Sequence, residues 1–112
     1  MKFTLLYAYD PTTASPSEGE IADWLALDAD WREAGILVHA EGFYHRDEGK
    51  AVRVRDGATA VRDEPATPAE ATVAGFVVVE APDIEAATVM AARVPTARYG
   101  YVEVRRVVEW EG

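Results

Sequence analysis

Gly75-Phe76-Val77-Val78-Val79-Glu80, then Pro82-Asp83, then Pro95, then Tyr101 to Trp110: these landmarks decide the fold. The first six residues are a β-rich run, Pro82-Asp83 opens a helix, Pro95 closes it, and Tyr101 to Trp110 is β-rich again. Gly75 to Trp110 therefore reads as strand, helix, strand. Asp83 is the expected cap, and Ala86, Ala87, Met90, Ala91 and Val94 form the expected buried stripe. Side chains this small let a helix lie close to a sheet. In the closing run Val102, Val104, Val108 and Trp110 share a parity with Arg106. Either a bulge near Arg105 and Arg106 resets the register, or an acidic partner holds Arg106 on the buried face; the bulge is the preferred reading.

Working outward, Lys2 to Gly35 looks like a counterpart of this unit. A strand from Lys2 to about Tyr9 carries Phe3, Leu5, Tyr7 and Tyr9 on one face and Thr4, Leu6 and Ala8 on the other. Both faces are largely apolar, as in a strand covered on two sides. Ser15-Pro16-Ser17-Glu18 reads as a helix start with a capping box, repeated by Ser17 and Glu20. Ile21, Trp24, Leu27 and Trp31 form the expected buried stripe, Asp28 lies at its margin and reaches water, and Gly35 is the expected end with positive φ. Ile36 to about His45 is the next strand. Val52-Arg53-Val54-Arg55, Asp56-Gly57 and Thr59-Ala60-Val61-Arg62 then spell a hairpin with a tight turn. Asp63 to Ala71, with two prolines, is the one extended irregular segment, the kind of loop that often carries a site.

Strand, helix, strand, hairpin insert, strand, helix, strand is the βαββαβ order of an α+β, ferredoxin-like sheet. Right-handed connections put both helices on one face. Two such sheets packed through their open faces would cover the second apolar face of the first strand, which predicts a homodimer. A chain of 112 residues and 12.2 kDa forms one domain. The segment from Lys2 runs straight into a strand with no leader pattern, and no apolar run approaches the roughly 18 residues of a membrane span. The expectation is a cytoplasmic protein with no membrane partner. The absence of cysteine excludes disulfides, thiolate nucleophiles and zinc ribbons. A formal charge of −9 argues against direct nucleic acid binding. There is no phosphate-binding glycine loop and no Gly-x-Ser-x-Gly elbow, which sets aside nucleotide enzymes and serine hydrolases.

Several stretches resemble the YCII-related family, specifically its DGPF group. They are Lys2-Phe3-Thr4-Leu5-Leu6-Tyr7, Arg32-Glu33-Ala34-Gly35, Ala40-Glu41-Gly42-Phe43, Val52-Arg53-Val54-Arg55-Asp56-Gly57 and Gly75-Phe76. Ala92-Arg93-Val94-Pro95 and Tyr99-Gly100-Tyr101-Val102-Glu103-Val104-Arg105 complete the set. Where the group has Asp-Gly-Pro-Phe, this chain has Asp63-Glu64-Pro65-Ala66, and the proline usual after the last arginine is Arg106. The resemblance implies a homodimeric α/β barrel with a pocket between sheet and loop. It also implies small-molecule chemistry by an acid and a histidine, or else a regulatory role linked to an alternative sigma factor.

On that basis Asp63, which survives in the altered motif, is the first candidate acid or base; otherwise it holds the turn before Pro65. Glu41 shares a strand face with His39 about 7 Å along, and a carboxylate there can fix the imidazole as a general base. His39, Glu41 and His45 also share a parity, but the two histidines lie about 20 Å apart in an extended strand, so no metal site is expected. Arg105 with Arg98 could hold a substrate carboxylate or pair with Asp63; a salt bridge from Arg105 to Glu103 or Glu80 is the alternative. Tyr7 and Tyr44 either line a pocket or belong to a core or interface. The resulting expectation is cofactor-free acid–base chemistry on a small organic ligand in a homodimer. A non-enzymatic binding module is the alternative.

Overall fold

A computed structural model of the chain describes residues 1–110. Its main sheet has the order β2-β5-β1-β6, built from β1 (Lys2–Tyr9), β2 (Leu37–Gly42), β5 (Thr72–Glu80) and β6 (Tyr101–Arg106). Helix α1 (Glu20–Glu33) follows β1, and α2 (Ile84–Ala91) joins β5 to β6. β5 and β6 each pair antiparallel with β1, which lies between them, so Gly75 to Arg106 is a split βαβ unit. The result is a mixed α+β, ferredoxin-like arrangement with an antiparallel sheet.

The core lies between the helices and one face of the sheet. Phe3 and Leu5 of β1 and Val77 and Val79 of β5 meet Leu27 and Trp31 of α1 and Ala87, Ala91 and Val94 at α2. The Asp83 carboxylate accepts from the Ala86 amide at 2.8 Å, fixing the start of α2 as its cap. Asp83→Ala is expected to cost about 1 kcal/mol and to lower the melting temperature by roughly 4–6 °C, measured by calorimetry. Gly35 ends α1 with φ +73.

The start of α1 differs from the sequence reading. The helix begins at Glu20, with no side-chain cap, and the Glu20 amide donates to the Ser17 carbonyl, not to its hydroxyl. The loop before it is tied by Asp10, whose carboxylate accepts from the Thr12 amide at 2.9 Å and hydroxyl at 2.6 Å. The stripe is Glu20, Trp24, Leu27, Trp31, and Ile21 is 73% exposed. Both residue sets fit a period of 3.6, and Glu20 wins because two donors meet its carboxylate, as described below. Asp28 sits at the margin and accepts from Arg32 one turn on at 2.7 Å.

β2 stops at Gly42, and β6 stops at Arg106, short of Val108 and Trp110. The preferred bulge near Arg105 is absent: β6 pairs with β1 in unbroken register from Tyr101 to Arg106, and Arg106 is exposed where its strand ends. The irregularities fall elsewhere, at Tyr7/Ala8 against β5 and at Leu37/His39 against β5. β3 (Ala51–Arg55) and β4 (Ala58–Arg62) form a separate two-stranded sheet. Asp56 (φ 51) and Gly57 (φ 78) give it the left-handed turn that matches strand twist. The hairpin projects, and the radius of gyration is 15.9 Å against about 13 Å for a compact chain of this length.

Candidate functional site

Strand register sorts the expected site residues onto different surfaces. His39 pairs with Val78, Val78 with Thr4, and Thr4 with Arg105; Glu41 pairs with Phe76, Phe76 with Leu6, and Leu6 with Glu103. These eight side chains lie in two rows on the face turned away from the helices. The centre of that face is apolar, and a paired basic and acidic side chain marks each edge. His39 Nε2 lies 3.2 Å from Glu41 Oε1, and Arg105 Nη1 donates to Glu103 at 3.1 Å. Proximity of His39 and Glu41 follows from their alternation on β2, while the Arg105 pair runs along one strand and not across two.

The other expected residues lie elsewhere. Tyr7 has the parity of Phe3 and Leu5 and packs on the helix side, its ring 4.8 Å from that of Trp24. Its hydroxyl reaches over Gly75 to donate to the Glu41 carbonyl at 3.4 Å. Burial, and then the nearby Glu20 charge, raise the Tyr7 phenol above its usual range. Arg98 donates to Asp23 of α1 at 2.7 Å. Asp63, the first candidate acid or base, lies in solvent and not in a pocket between sheet and loop. It directly follows β4, is 83% exposed and pairs with Lys50. The hairpin stands off the sheet, with every β4 residue exposed, so a residue at its end cannot be enclosed by the domain. Arg105, Arg98 and Asp63 thus have three separate partners and form no common anion site within one chain. Among the described residues no three His, Asp or Glu side chains converge as metal ligands.

Tyr44 is exposed and lines a groove where β1 ends and β5 begins against the segment after β2. Two adjoining cavities, of about 250 and 310 Å³, share Phe43, Tyr44, His45, Arg46, Thr72 and Val73. The groove joins the open face through aromatic rings: Phe43 to Phe76 and Phe76 to His39 are each 6.0 Å apart.

A second polar centre went unread in the sequence. Glu20 is only 7% exposed; its Oε2 accepts from Trp24 Nε1 at 3.3 Å and from the Tyr99 hydroxyl at 3.1 Å. Desolvation, followed by the hydrogen bond to Glu20, pushes the Tyr99 phenol up to about 12. The signal available was the i,i+4 spacing of Glu20 and Trp24, but Tyr99 comes from the far end of the chain and only tertiary structure delivers it.

With fold and surfaces placed, the comparison with known families decides the relationship: the family model described as YCII-related domain matches residues 1–111. The chain belongs to the YCII-related family. No curated protein matches it. The split βαβ halves of this YCII-related chain leave one sheet face without a helix, and no helix among the described residues is long and apolar enough to cross a membrane.

Proposed function

We propose that this YCII-related protein, of the DGPF group, is a cytoplasmic homodimer whose two open sheet faces enclose a site for a small organic ligand. The observation that carries the reading is the pattern of the open face. Half-buried Leu6, Phe76 and Val78 form an apolar centre with no helix over it, bounded by His39–Glu41 on β2 and Arg105–Glu103 on β6. A second copy would remove the apolar centre from water and shield the edge pairs, strengthening them. His39 is the proposed acid–base group, oriented through Nε2 by Glu41, and Arg105 the anion anchor.

Sedimentation equilibrium is expected to give a particle of two chains, and Phe76→Asp a folded monomer. The ring nitrogen shifts of His39 should report a single tautomer with its proton on Nε2, and Glu41→Gln should mix the two. A monomeric wild-type chain, or a Phe76→Asp protein that still dimerises, would sink the reading. A second reading, a non-enzymatic binding module working with a protein partner such as an alternative sigma factor, draws support from the projecting hairpin. Its Val52, Val54 and Val61 share one exposed apolar face. Loss of partner capture on Val54→Lys, with His39 insensitive to Glu41→Gln, would favour it.

A further inference from the structure

Arg46 stands apart from the other arginines. Arg32, Arg62, Arg93, Arg98 and Arg105 each pair with a carboxylate and are exposed, while Arg53, Arg55 and Arg106 extend into solvent. Arg46 is half-buried, yet among the described residues it has no carboxylate at ion-pair distance. Among the described residues its guanidinium makes one hydrogen bond, from Nη2 to the neutral Thr67 carbonyl at 2.7 Å, and its buried Nε has no acceptor. The Glu64 carboxylate lies near enough to feel the Arg46 charge, but it is held by Arg62 and stays beyond ion-pair distance of Arg46; a partly desolvated guanidinium without a contacting anion is costly. In a chain of net charge −9 the shortage is not one of carboxylates; Asp47 and Glu48, its sequence neighbours, line the same groove without pairing to it.

The surroundings of Arg46 indicate what would complete it. Phe43 and Tyr44 give the groove apolar, flat walls, Tyr9 lines it from β1, and His45 adds a polar ring. Cavities of about 250 and 310 Å³ are the size of a small organic molecule, near the lower bound of roughly 300 Å³ for ligand pockets. Guanidinium forks match carboxylates bidentately. We propose that this groove binds a small organic carboxylate carrying a flat apolar group, with Arg46 as anion anchor and Phe43 and Tyr44 as walls. The site is built within one chain, so it stands whether or not two copies meet through the open face.

Sodium benzoate is a suitable probe, titrated into nitrogen-15 labelled protein and followed by backbone amide shifts, with benzyl alcohol as the neutral isostere. Benzoate is expected to shift the amides of Phe43 to Asp47 and Thr72 to Ala74 and to saturate with a Kd on the order of 1 mM. Benzyl alcohol should bind at least tenfold more weakly. Arg46→Gln should lose binding tenfold or more, and Arg46→Lys should recover only part of it. Since Arg46 also ties down the Thr67 loop, Tyr44→Ala provides the second variant: Tyr44 is 89% exposed and has no packing role. That change should weaken benzoate several-fold and leave acetate, which has no ring, unaffected. Equal shifts with benzyl alcohol, unchanged binding in Arg46→Gln, or benzoate shifts confined to other surfaces would each overturn the proposal.

Discussion

Gly75→Ala is expected to destabilise the protein by about 3 kcal/mol, a fall in melting temperature of roughly 10–15 °C. Replacing a strand glycine by alanine ordinarily favours folding, because it restricts the unfolded chain. Here the added methyl would collide with the Tyr7 hydroxyl and with the Glu41 carbonyl oxygen. The tyrosine ring crosses the glycine to bond β2, a route only a residue without Cβ leaves open. The Glu41 carbonyl belongs to a paired strand and cannot retreat cheaply. Tyr7→Ala in the same chain should therefore rescue only part of the loss. Gly42 supplies the control. It pairs with Gly75, but a Cβ there would meet the Tyr7 hydroxyl at an ordinary 3.6 Å, so Gly42→Ala should change stability by less than about 1 kcal/mol. Urea unfolding of the three variants beside the wild type measures all of this, and equal effects at the two glycines would refute the account.

Glu20→Ala should cost about 2–3 kcal/mol, since it strands the Trp24 and Tyr99 donors. Glu20→Gln keeps an acceptor oxygen but loses the charge, and about 1 kcal/mol is expected. A signature in pH accompanies these losses. The Tyr99 phenol is raised from 10.0 to about 12 by burial and by Glu20. Below the unfolded value of about 10 both states keep the proton and the stabilisation is fully present. As pH rises toward 12 the unfolded state binds fewer protons than the folded one, so stability falls. The urea midpoint, followed from about pH 9 to about pH 12, should drop in the wild type. It should drop less in Tyr99→Phe, where the shifted Tyr7 still contributes. An identical pH profile in Tyr99→Phe would show that folding does not raise the affinity of Tyr99 for its proton.

Element order was legible because local signals agreed with one another. Alternation marked the hairpin, Asp56-Gly57 its turn, Asp83 the start of α2, and the alanine stripe the face that packs. The parity of His39 and Glu41 on one strand was enough to bring them together. Where the sequence misled, two local patterns competed and a distant residue chose between them. Ser17 and Glu20 spell a capping box, but Tyr99 and Trp24 draw the Glu20 carboxylate inward, which moves the helix start and leaves Ile21 in water. Asp63 stood beside a loop that looked like a site, and only the separation of the hairpin from the sheet showed how far into solvent it reaches. Arg46 was one charge in a charged turn until folding set it, half-buried and without a contacting anion, against Phe43 and Thr72. Residue order alone was enough for the element order and most of the buried faces, because periodicity and capping act within a few residues. Tertiary structure decided which polar groups lose water and which partners they meet, because desolvation depends on segments far apart in the chain.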